Sequence, residues 1–223
     1  MGPVLSRLSD FAALTPGEIN EVRELVASRK RWRAGSLLLA DGRFGAHFVV
    51  SGWACRQRVL RDGRRQIFDF ILPGEGFGFG SPGENLVRQT VMAVTSVETV
   101  EAGSLVAAAR EIPTAGLWRA IRASLLEEEL RRLDHMVRLG RLTAYEKVAH
   151  FILEMQRRLG AGSARSFPLP LTQEAISDAL GLSVVHLNRV LRQLRGAKLV
   201  ELRRGVAVLL DAKALAAAAV LTP

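Results

Sequence analysis

The stretch that decides the fold is Leu171–Leu210, which reads LTQEAISDALGLSVVHLNRVLRQLRGAKLVELRRGVAVLL. Thr172 is placed to cap a short helix, and Gly181 supplies the positive-φ turn that ends it. Ser183 is placed to cap a second helix, whose apolar residues recur at steps of three and four. Two short apolar strands flank Arg203-Arg204-Gly205 after that helix. Two helices joined by a glycine turn and followed by a hairpin predict a winged helix-turn-helix.

An α-helix fits the major groove of duplex DNA, so the second helix of this motif predicts a groove-reading element. Arginine pairs with guanine, asparagine with adenine, histidine donates or accepts at a base edge, and valine contacts a thymine methyl. The predicted base-reading residues are Val184, Val185, His186, Asn188 and Arg189. The predicted phosphate contacts are Thr172, Gln173, Ser183, Arg192, Arg203 and Arg204. A merely solvated role for Arg192 and Arg195 is the alternative.

Charge is unevenly distributed along the 223 residues. The whole chain carries 31 Lys and Arg against 22 Asp and Glu, a formal net charge of +9. Residues 141–223 hold 12 basic and 6 acidic side chains, whereas the preceding 140 residues hold 19 and 16. A basic excess favours a polyanionic partner, either nucleic acid or an anionic membrane surface. Its position beside the helix-turn-helix favours double-stranded DNA.

Residues 34–103 have a β pattern. Runs such as HFVVSGWACRQRVL, RQIFDFIL and VMAVTSVETVEA are rich in β-branched and aromatic residues, and turn signals such as Asp62-Gly63 separate them. Strands this short and evenly spaced predict a sandwich or a small barrel. Two helices are predicted to precede it, near Ser6–Ala13 and Pro16–Ser28, the second with a capping box formed by Thr15 and Glu18.

A long helix is predicted between the β region and the helix-turn-helix. We interpret its apolar residues as one stripe that pairs with the same stripe of a second copy in a C2 dimer. Packing of the stripe on the β domain is the alternative. A further helix begins at a second capping box, formed by Thr143 and Glu146. The predicted dimer residues are Leu117, Ile121, Leu125, Leu126, Leu130, Leu133 and Val137.

The predicted fold class is α+β, with an N-terminal jelly-roll β-barrel at 1–113, a dimerisation helix at 114–140 and a winged helix-turn-helix at 141–223. Cys55 is the single cysteine, which excludes an internal disulfide and any metal site built from several thiolates; no metal site is predicted. The sequence shows neither a secretory signal nor an apolar run of 18 residues, so we expect a cytoplasmic protein without membrane contact.

In this order the parts resemble the cyclic-AMP receptor and fumarate–nitrate reduction regulator superfamily (Crp–Fnr). The resemblance covers nearly the whole chain and is strongest at GAHFVVSGWACRQRVLRDGRRQIFDFILPGEGFGFG (45–80), LGRLTAYEKVAHFILEMQRRL (139–159) and PLTQEAISDALGLSVVHLNRVLRQLRGAKLV (170–200). It implies a cyclic-nucleotide-binding-like effector domain, a dimerisation helix and a winged helix. It also implies a homodimeric bacterial transcription regulator that binds inverted repeats and often recruits RNA polymerase.

The chain departs from the family's cyclic-nucleotide signature. Binders of this family carry a Gly-Glu pair whose Glu holds the ribose, and a later Arg followed by Ser or Thr that holds the phosphate. Here Phe79 stands where the Glu would fall, and Arg88 is followed by Gln89 and Thr90. Without that acceptor the ribose hydroxyls would be buried unpaired, so we do not expect cyclic AMP to bind. The candidate effector pocket consists of Phe77, Gly78, Phe79, Gly80, Ser81, Arg88 and Thr90.

The number of cysteine and histidine side chains limits which other effectors of the family this chain could bind. The family's iron–sulfur sensors use several cysteines, which one cysteine cannot replace. Haem needs only one or two axial ligands, so it stays as an alternative, and Cys55 is either a redox switch or a small buried hydrophobe. The sequence assigns no cofactor. The side chains able to ligate haem iron are His47, Cys55, His135 and His150.

The recognition helix also departs from the family pattern, because Ser183-Val184-Val185 replaces the frequent Ser-Arg-Glu while Arg189 is kept. Loss of a Glu that accepts from cytosine predicts a different half-site. Two other functional classes are disfavoured. A cupin-like metal oxygenase needs clustered ligands, and His47 stands alone in the barrel. A protein-binding winged helix would lack salt-dependent DNA affinity. We therefore predict a DNA-binding transcription regulator and not an enzyme.

Overall fold

Two helices, α1 (Pro3–Phe11) and α2 (Pro16–Ala27), begin the chain in the computed structural model, which describes residues 1–40, 45–79, 90–160 and 164–220. The predicted capping box of α2 is confirmed, because the Thr15 hydroxyl accepts from the amide of Glu18 and the Glu18 carboxylate accepts from the amide of Thr15. The second carboxylate oxygen of Glu18 accepts from the backbone amide of Leu117 at 2.7 Å. One side chain therefore caps α2 and also binds a distant segment.

Eight strands form two four-stranded antiparallel sheets in the described part of the first unit. Alternating apolar positions of the two sheets face each other, and Val49, Ile71, Phe77 and Val91 are buried between them. The sheet orders are β1-β8-β3-β6 and β2-β7-β4-β5, which fits the predicted jelly-roll. The strands are β1 (Lys30–Trp32), β2 (Leu37–Leu39), β3 (His47–Ser51), β4 (Ala54–Val59), β5 (Arg65–Ile71), β6 (Gly76–Phe77), β7 (Thr90–Ala93) and β8 (Val97–Glu101).

Helices α3 (Gly103–Arg110) and α4 (Gly116–Arg141) follow the sheets, and α4 is the predicted long helix. Its first turn packs closely on the N-terminal segment, because a Cβ at Gly116 would overlap the carbonyl oxygen of Ala13. The amide of Leu117 donates to Glu18 at the same place. A glycine and a shared carboxylate thus fix the beginning of α4.

The predicted single apolar stripe of α4 is wrong, because Leu117 and Ile121 are 2% and 0% exposed within their own chain. They join a core with α1, α2, β3 and β8, and Leu125 packs against it. The step from Leu125 to Leu126 is one residue, which turns an α-helix by about 100°. The apolar residues beyond it therefore lie on another face. This face, here called the α4 apolar face, is exposed and consists of Leu126, Leu130, Leu133 and Val137.

Buried ion pairs join the middle of α4 to the sheets. Arg56 of β4 donates to Glu128 of α4 and also donates to the carbonyl of Gly76 at 3.0 Å. Arg131, one turn along, lies 3.5 Å from the Glu75 carboxylate. These side chains are buried, so removing one partner would leave an uncompensated charge inside the protein.

The chain divides into two units, Met1–Gly63 with Phe68–Arg132 and Arg64–Ile67 with Leu133–Pro223. The second unit contains the end of α4 and then α5, whose predicted capping box of Thr143 and Glu146 is confirmed. Gly140 stays helical, and Leu142 and Thr143 separate α4 from α5. The elements are α5 (Ala144–Arg158), β9 (Ser166–Pro168), α6 (Gln173–Leu180), α7 (Val184–Gly196), β10 (Val200–Arg203), β11 (Val206–Leu209) and α8 (Ala212–Ala218).

A buried polar cluster joins the end of α4 to α5. Arg138 donates to Glu154, to His135 Nδ1 at 2.7 Å and to His150 Nδ1 at 3.2 Å. Arginine only donates, so both Nδ1 atoms are acceptors and both rings are neutral. Burial, reinforced by the Arg138 charge, lowers the pKa of His135 to about 4. Burial raises the pKa of Glu154, but Arg138 and Arg158 outweigh it and hold that pKa below its usual value.

Candidate nucleic-acid interface

The predicted helix-turn-helix is formed by α6 and α7. The Thr172 hydroxyl accepts from the Ala175 amide at 3.1 Å, and the Ser183 hydroxyl accepts from the His186 amide at 3.2 Å. Gly181 has a φ of 62°, the left-handed conformation predicted for the turn. The two helices cross over a buried core of small and aliphatic side chains. This core contains Ala175, Ile176, Ala179, Leu180, Leu187, Val190 and Leu194.

The solvent side of α7 presents the predicted base-reading residues unequally. Val185 is 78% exposed, Val184 is 40% exposed, and Arg189 is exposed one turn further along. His186 and Asn188 are half-buried. At about 100° per residue, Val185, Arg189 and Arg192 share one face of the helix. This face combines an apolar tip with two guanidinium groups, which suits a base edge flanked by phosphates.

A groove separates α7 from the hairpin of β10 and β11, here called the wing groove. Its apolar floor includes Leu169, Leu171 and Val200. Its cationic residues are Arg192, Arg195, Arg203 and Arg204, and Gln173 at the start of α6 also lines it. Asn188 also faces this groove. Its four guanidinium groups give this groove the positive charge that favours contact with a sugar–phosphate strand.

The wing is a tight hairpin in which Arg203 pairs with Val206 across a two-residue turn. Arg204 and Gly205 both have positive φ, 47° and 78°, as the favoured hairpin turn requires. A β-strand extends the hairpin on its other side, because β9 pairs with β11 in the order β10-β11-β9. The tip therefore projects the exposed side chains of Arg203 and Arg204 from a three-stranded sheet.

One carboxylate lies among these arginines in the wing groove. Glu201 Oε1 accepts from Arg203 Nε at 2.7 Å and lies 4.0 Å from Arg195 Nε, and the Glu201 side chain is 16% exposed. Glu201 was not among the site residues predicted from the sequence. The signal was present, because residues 201 and 203 alternate along one strand and so share a face.

The candidate effector pocket is filled by aromatic side chains where it is described. Phe77 is buried and stacks on His47 with ring centroids 5.1 Å apart. The Phe79 ring packs edge-on against Phe48 at 5.5 Å and covers Gly76 so closely that a Cβ there would overlap it. Thr90 lies in β7, where its hydroxyl donates to the carbonyl of Gln57 at 3.5 Å. Gly80, Ser81 and Arg88 lie outside the described residues.

The side chains considered for haem have other partners. His47 Nδ1 bonds the Gly45 carbonyl at 2.6 Å, while His135 and His150 each accept from Arg138. Cys55 is buried in β4, as expected of a small hydrophobe. Within the residues that the structure describes, no group of three or more His, Cys, Asp or Glu side chains is arranged to hold a metal ion. None of the helices among them has the length and apolar content to cross a bilayer.

Comparison with known proteins connects these two units to one family. Residues 29–104 match the model of the cyclic nucleotide-binding domain, and residues 146–218 match that of the Crp-like helix-turn-helix domain. The nitrogen fixation regulation protein FixK of Bradyrhizobium diazoefficiens is 33% identical over 217 residues, which are 93% of this chain and 89% of that protein. The chain belongs to the Crp–Fnr family of transcription regulators.

Further relatives of this Crp–Fnr regulator agree with that placement. The transcriptional activator protein FnrL of Cereibacter sphaeroides is 32% identical over 66% of the chain and 61% of its own length. The structure of FixK2 from Bradyrhizobium japonicum is 30% identical, with a TM-score of 0.77 over 88% of this chain and 98% of that one. The regulator is therefore a DNA-binding transcription factor of the predicted α+β class, and its relatives are regulators rather than enzymes.

Proposed function

We propose that the regulator binds an inverted-repeat operator as a homodimer, with residues 114–140 as the dimerisation segment between an effector-type domain at 1–113 and a DNA-binding domain at 141–223. The α4 apolar face carries this proposal. On this face Leu126 is 61% exposed and Leu130 is 53% exposed. Exposed apolar side chains grouped in this way are typical of an interaction surface. A two-fold protein requires a two-fold site. Because its target is genomic DNA, the regulator is expected to act in the cytoplasm.

Within each half-site, α7 reads bases and the wing groove holds the backbone. Arg189 is the principal base reader, with Val184 and Val185 against thymine methyl groups and His186 at a base edge. Asn188 lies on α7 and also lines the wing groove, so its proposed position is between the bases and the sugar–phosphate backbone of the DNA. The proposed phosphate contacts are Thr172, Gln173, Ser183, Arg192, Arg203 and Arg204.

Selection of bound sequences from a random duplex pool, with pure protein and no added ligand, tests the proposal. A recovered two-fold repeat supports it. Recovery of single half-sites, or of no preferred sequence, contradicts it. The same experiment supplies the operator that the following measurements use.

Arg189→Ala is expected to lose discrimination at one base pair in each half-site, at about 1–3 kcal/mol per base pair, because a base contact carries sequence information. Arg204→Ala is expected to weaken operator and random DNA alike and to lower the magnitude of the salt slope by about 1, because a phosphate contact releases one counterion. Fluorescence anisotropy over a range of salt concentrations, with operator and scrambled duplexes, measures both.

The two arginine variants are controls for each other. Each removes one positive charge from the same unit, so a general charge effect would change both alike. Equal losses on operator and scrambled DNA for Arg189→Ala would contradict its assignment as a base reader. A loss confined to one base pair for Arg204→Ala would contradict its assignment to phosphate.

We also propose that the barrel does not use a cyclic nucleotide. Phe79 stands where the ribose acceptor would fall and packs, partly buried, against the core beside Phe48, so the ligand would have to displace this ring. Haem is the second candidate effector, with His47 as the axial ligand. The His47 ring, however, already stacks on Phe77 and is hydrogen-bonded to the Gly45 carbonyl. The activators named among the relatives support RNA polymerase as a further partner.

Titration calorimetry with cyclic AMP and cyclic GMP is expected to show no binding up to millimolar ligand. Each ribose hydroxyl left buried without a partner costs about 1–3 kcal/mol, and expulsion of Phe79 adds the loss of its buried area. Phe79→Glu serves as the matched variant, since it restores the carboxylate. Micromolar binding by the wild-type protein would overturn the proposal.

A further inference from the structure

The wing groove contains an internal competitor for DNA. Its arginines lie on both walls, Arg195 on α7 and Arg203 on β10, and Glu201 lies between them. The Glu201 carboxylate accepts from Arg203 Nε at 2.7 Å and lies 4.0 Å from Arg195 Nε. Among the residues that line this groove, Glu201 is the one acidic side chain.

We propose that Glu201 is a built-in counter-charge that competes with DNA phosphate for the arginines of the wing groove and so limits the sequence-independent affinity of the regulator. The inference rests on the proposed function, in which this groove faces the DNA backbone.

Exposure of the three side chains supports competition rather than a fixed structural bridge. The Arg195 and Arg203 side chains are 59% and 72% exposed, whereas Glu201 is 16% exposed. The carboxylate is thus held in the groove, while both guanidinium groups extend into solvent and can leave it. An arriving phosphate would meet cations that are accessible but partly neutralised.

Glu201 also differs in its partners from three other acidic residues of the same unit. Glu154 is buried against Arg138, and Glu146 and Asp211 cap helices. Those carboxylates satisfy groups of the fold, but Glu201 bonds only groove arginines among its recorded partners. Its removal therefore changes the charge of the groove without uncapping a helix.

The test is Glu201→Gln, which keeps the size and hydrogen-bonding capacity of the side chain and removes its charge. Affinity for a random 30-base-pair duplex is expected to rise about five- to tenfold near 0.1 M salt, and the salt slope to steepen by about 1, because one more cation then neutralises phosphate. Fluorescence anisotropy from 0.05 to 0.4 M salt measures both quantities. Glu201→Val, which suits a strand and also removes the charge, is expected to act in the same direction.

Glu24→Gln is the matched control, because it makes the same chemical change at an exposed position of α2, outside both the groove and the dimerisation segment. Little change in its affinity together with the gain for Glu201→Gln supports the proposal. Equal gains in both variants would show a net-charge effect and overturn it, and weaker binding by Glu201→Gln would show that Glu201 positions Arg203 for DNA. If the wild-type protein lacks salt-dependent DNA binding, the proposed function itself fails, which the wild-type titration alone reveals.

Discussion

Leu130→Asp is expected to convert the regulator from a dimer to a monomer and to lower its affinity for the two-fold operator by about 100-fold or more. Leu130 lies at the centre of the α4 apolar face and is 53% exposed within one chain. A charge buried there on association would face its own symmetry copy without a partner. Loss of the second half-site removes the gain that a linked pair of sites provides, about 10²–10⁴. Sedimentation velocity and operator anisotropy measure the two effects.

Ile112→Asp is the control for this variant, because Ile112 is 59% exposed but precedes α4 and lies away from its apolar face. It is expected to remain dimeric and to bind the operator with wild-type affinity. Leu130→Asp should also keep its affinity for random DNA largely unchanged per chain, since its phosphate contacts are intact. A Leu130→Asp protein that sediments as a dimer would refute the proposed interface.

Glu154→Gln is expected to lower the free energy of unfolding by about 3–5 kcal/mol. Glu154 neutralises two buried guanidinium groups, those of Arg138 and Arg158, and removal of one partner from a buried ion pair leaves an uncompensated charge. The same two arginine charges lower the pKa of the Glu154 carboxyl, because they stabilise its ionised form. Urea unfolding followed by far-UV circular dichroism, at one fixed protein concentration, measures the loss.

Glu24→Gln is again the comparison, because it removes an exposed carboxylate from α2, away from this cluster. Exposed charges contribute little, so its unfolding free energy is expected to stay within about 0.5 kcal/mol of wild type. The combined variant Glu154→Leu with Arg138→Met tests the explanation. Replacement of both charges by apolar groups should recover part of the loss. No difference between Glu154→Gln and Glu24→Gln would contradict the role assigned to the cluster.

The parts of the fold that the sequence predicted well depend on neighbouring residues. Thr172, Ser183 and Gly181 form the predicted caps and turn, since each of these structures is completed within four residues. The capping boxes at Thr15 and Thr143 are confirmed for the same reason. Local hydrogen bonding leaves few alternatives, so such signals are reliable without knowledge of the tertiary fold.

Features that depend on distant contacts were missed. The predicted stripe of α4 followed the spacing of apolar residues, but the step from Leu125 to Leu126 changes the face that is presented. Arg56 and Glu128 are 72 residues apart, and no local pattern pairs them. The role of Glu201 depended on knowing that β10 faces α7 across a groove. Charge partners set by tertiary contacts therefore had to be observed.

The clamp at the beginning of α4 has a mechanical consequence. Glu18 and Gly116 hold the first turn against the N-terminal segment, so this end of the helix is fixed in position. The 26 residues of α4 span about 39 Å. The part of α4 in the first unit ends at Arg132, about 24 Å from Gly116, so a rotation of one degree about the clamp moves Arg132 by roughly 0.4 Å. A small shift where Glu18 binds Leu117 is therefore larger at Arg132, and the stiffness of this contact determines how firmly the later turns of α4 within the first unit are held.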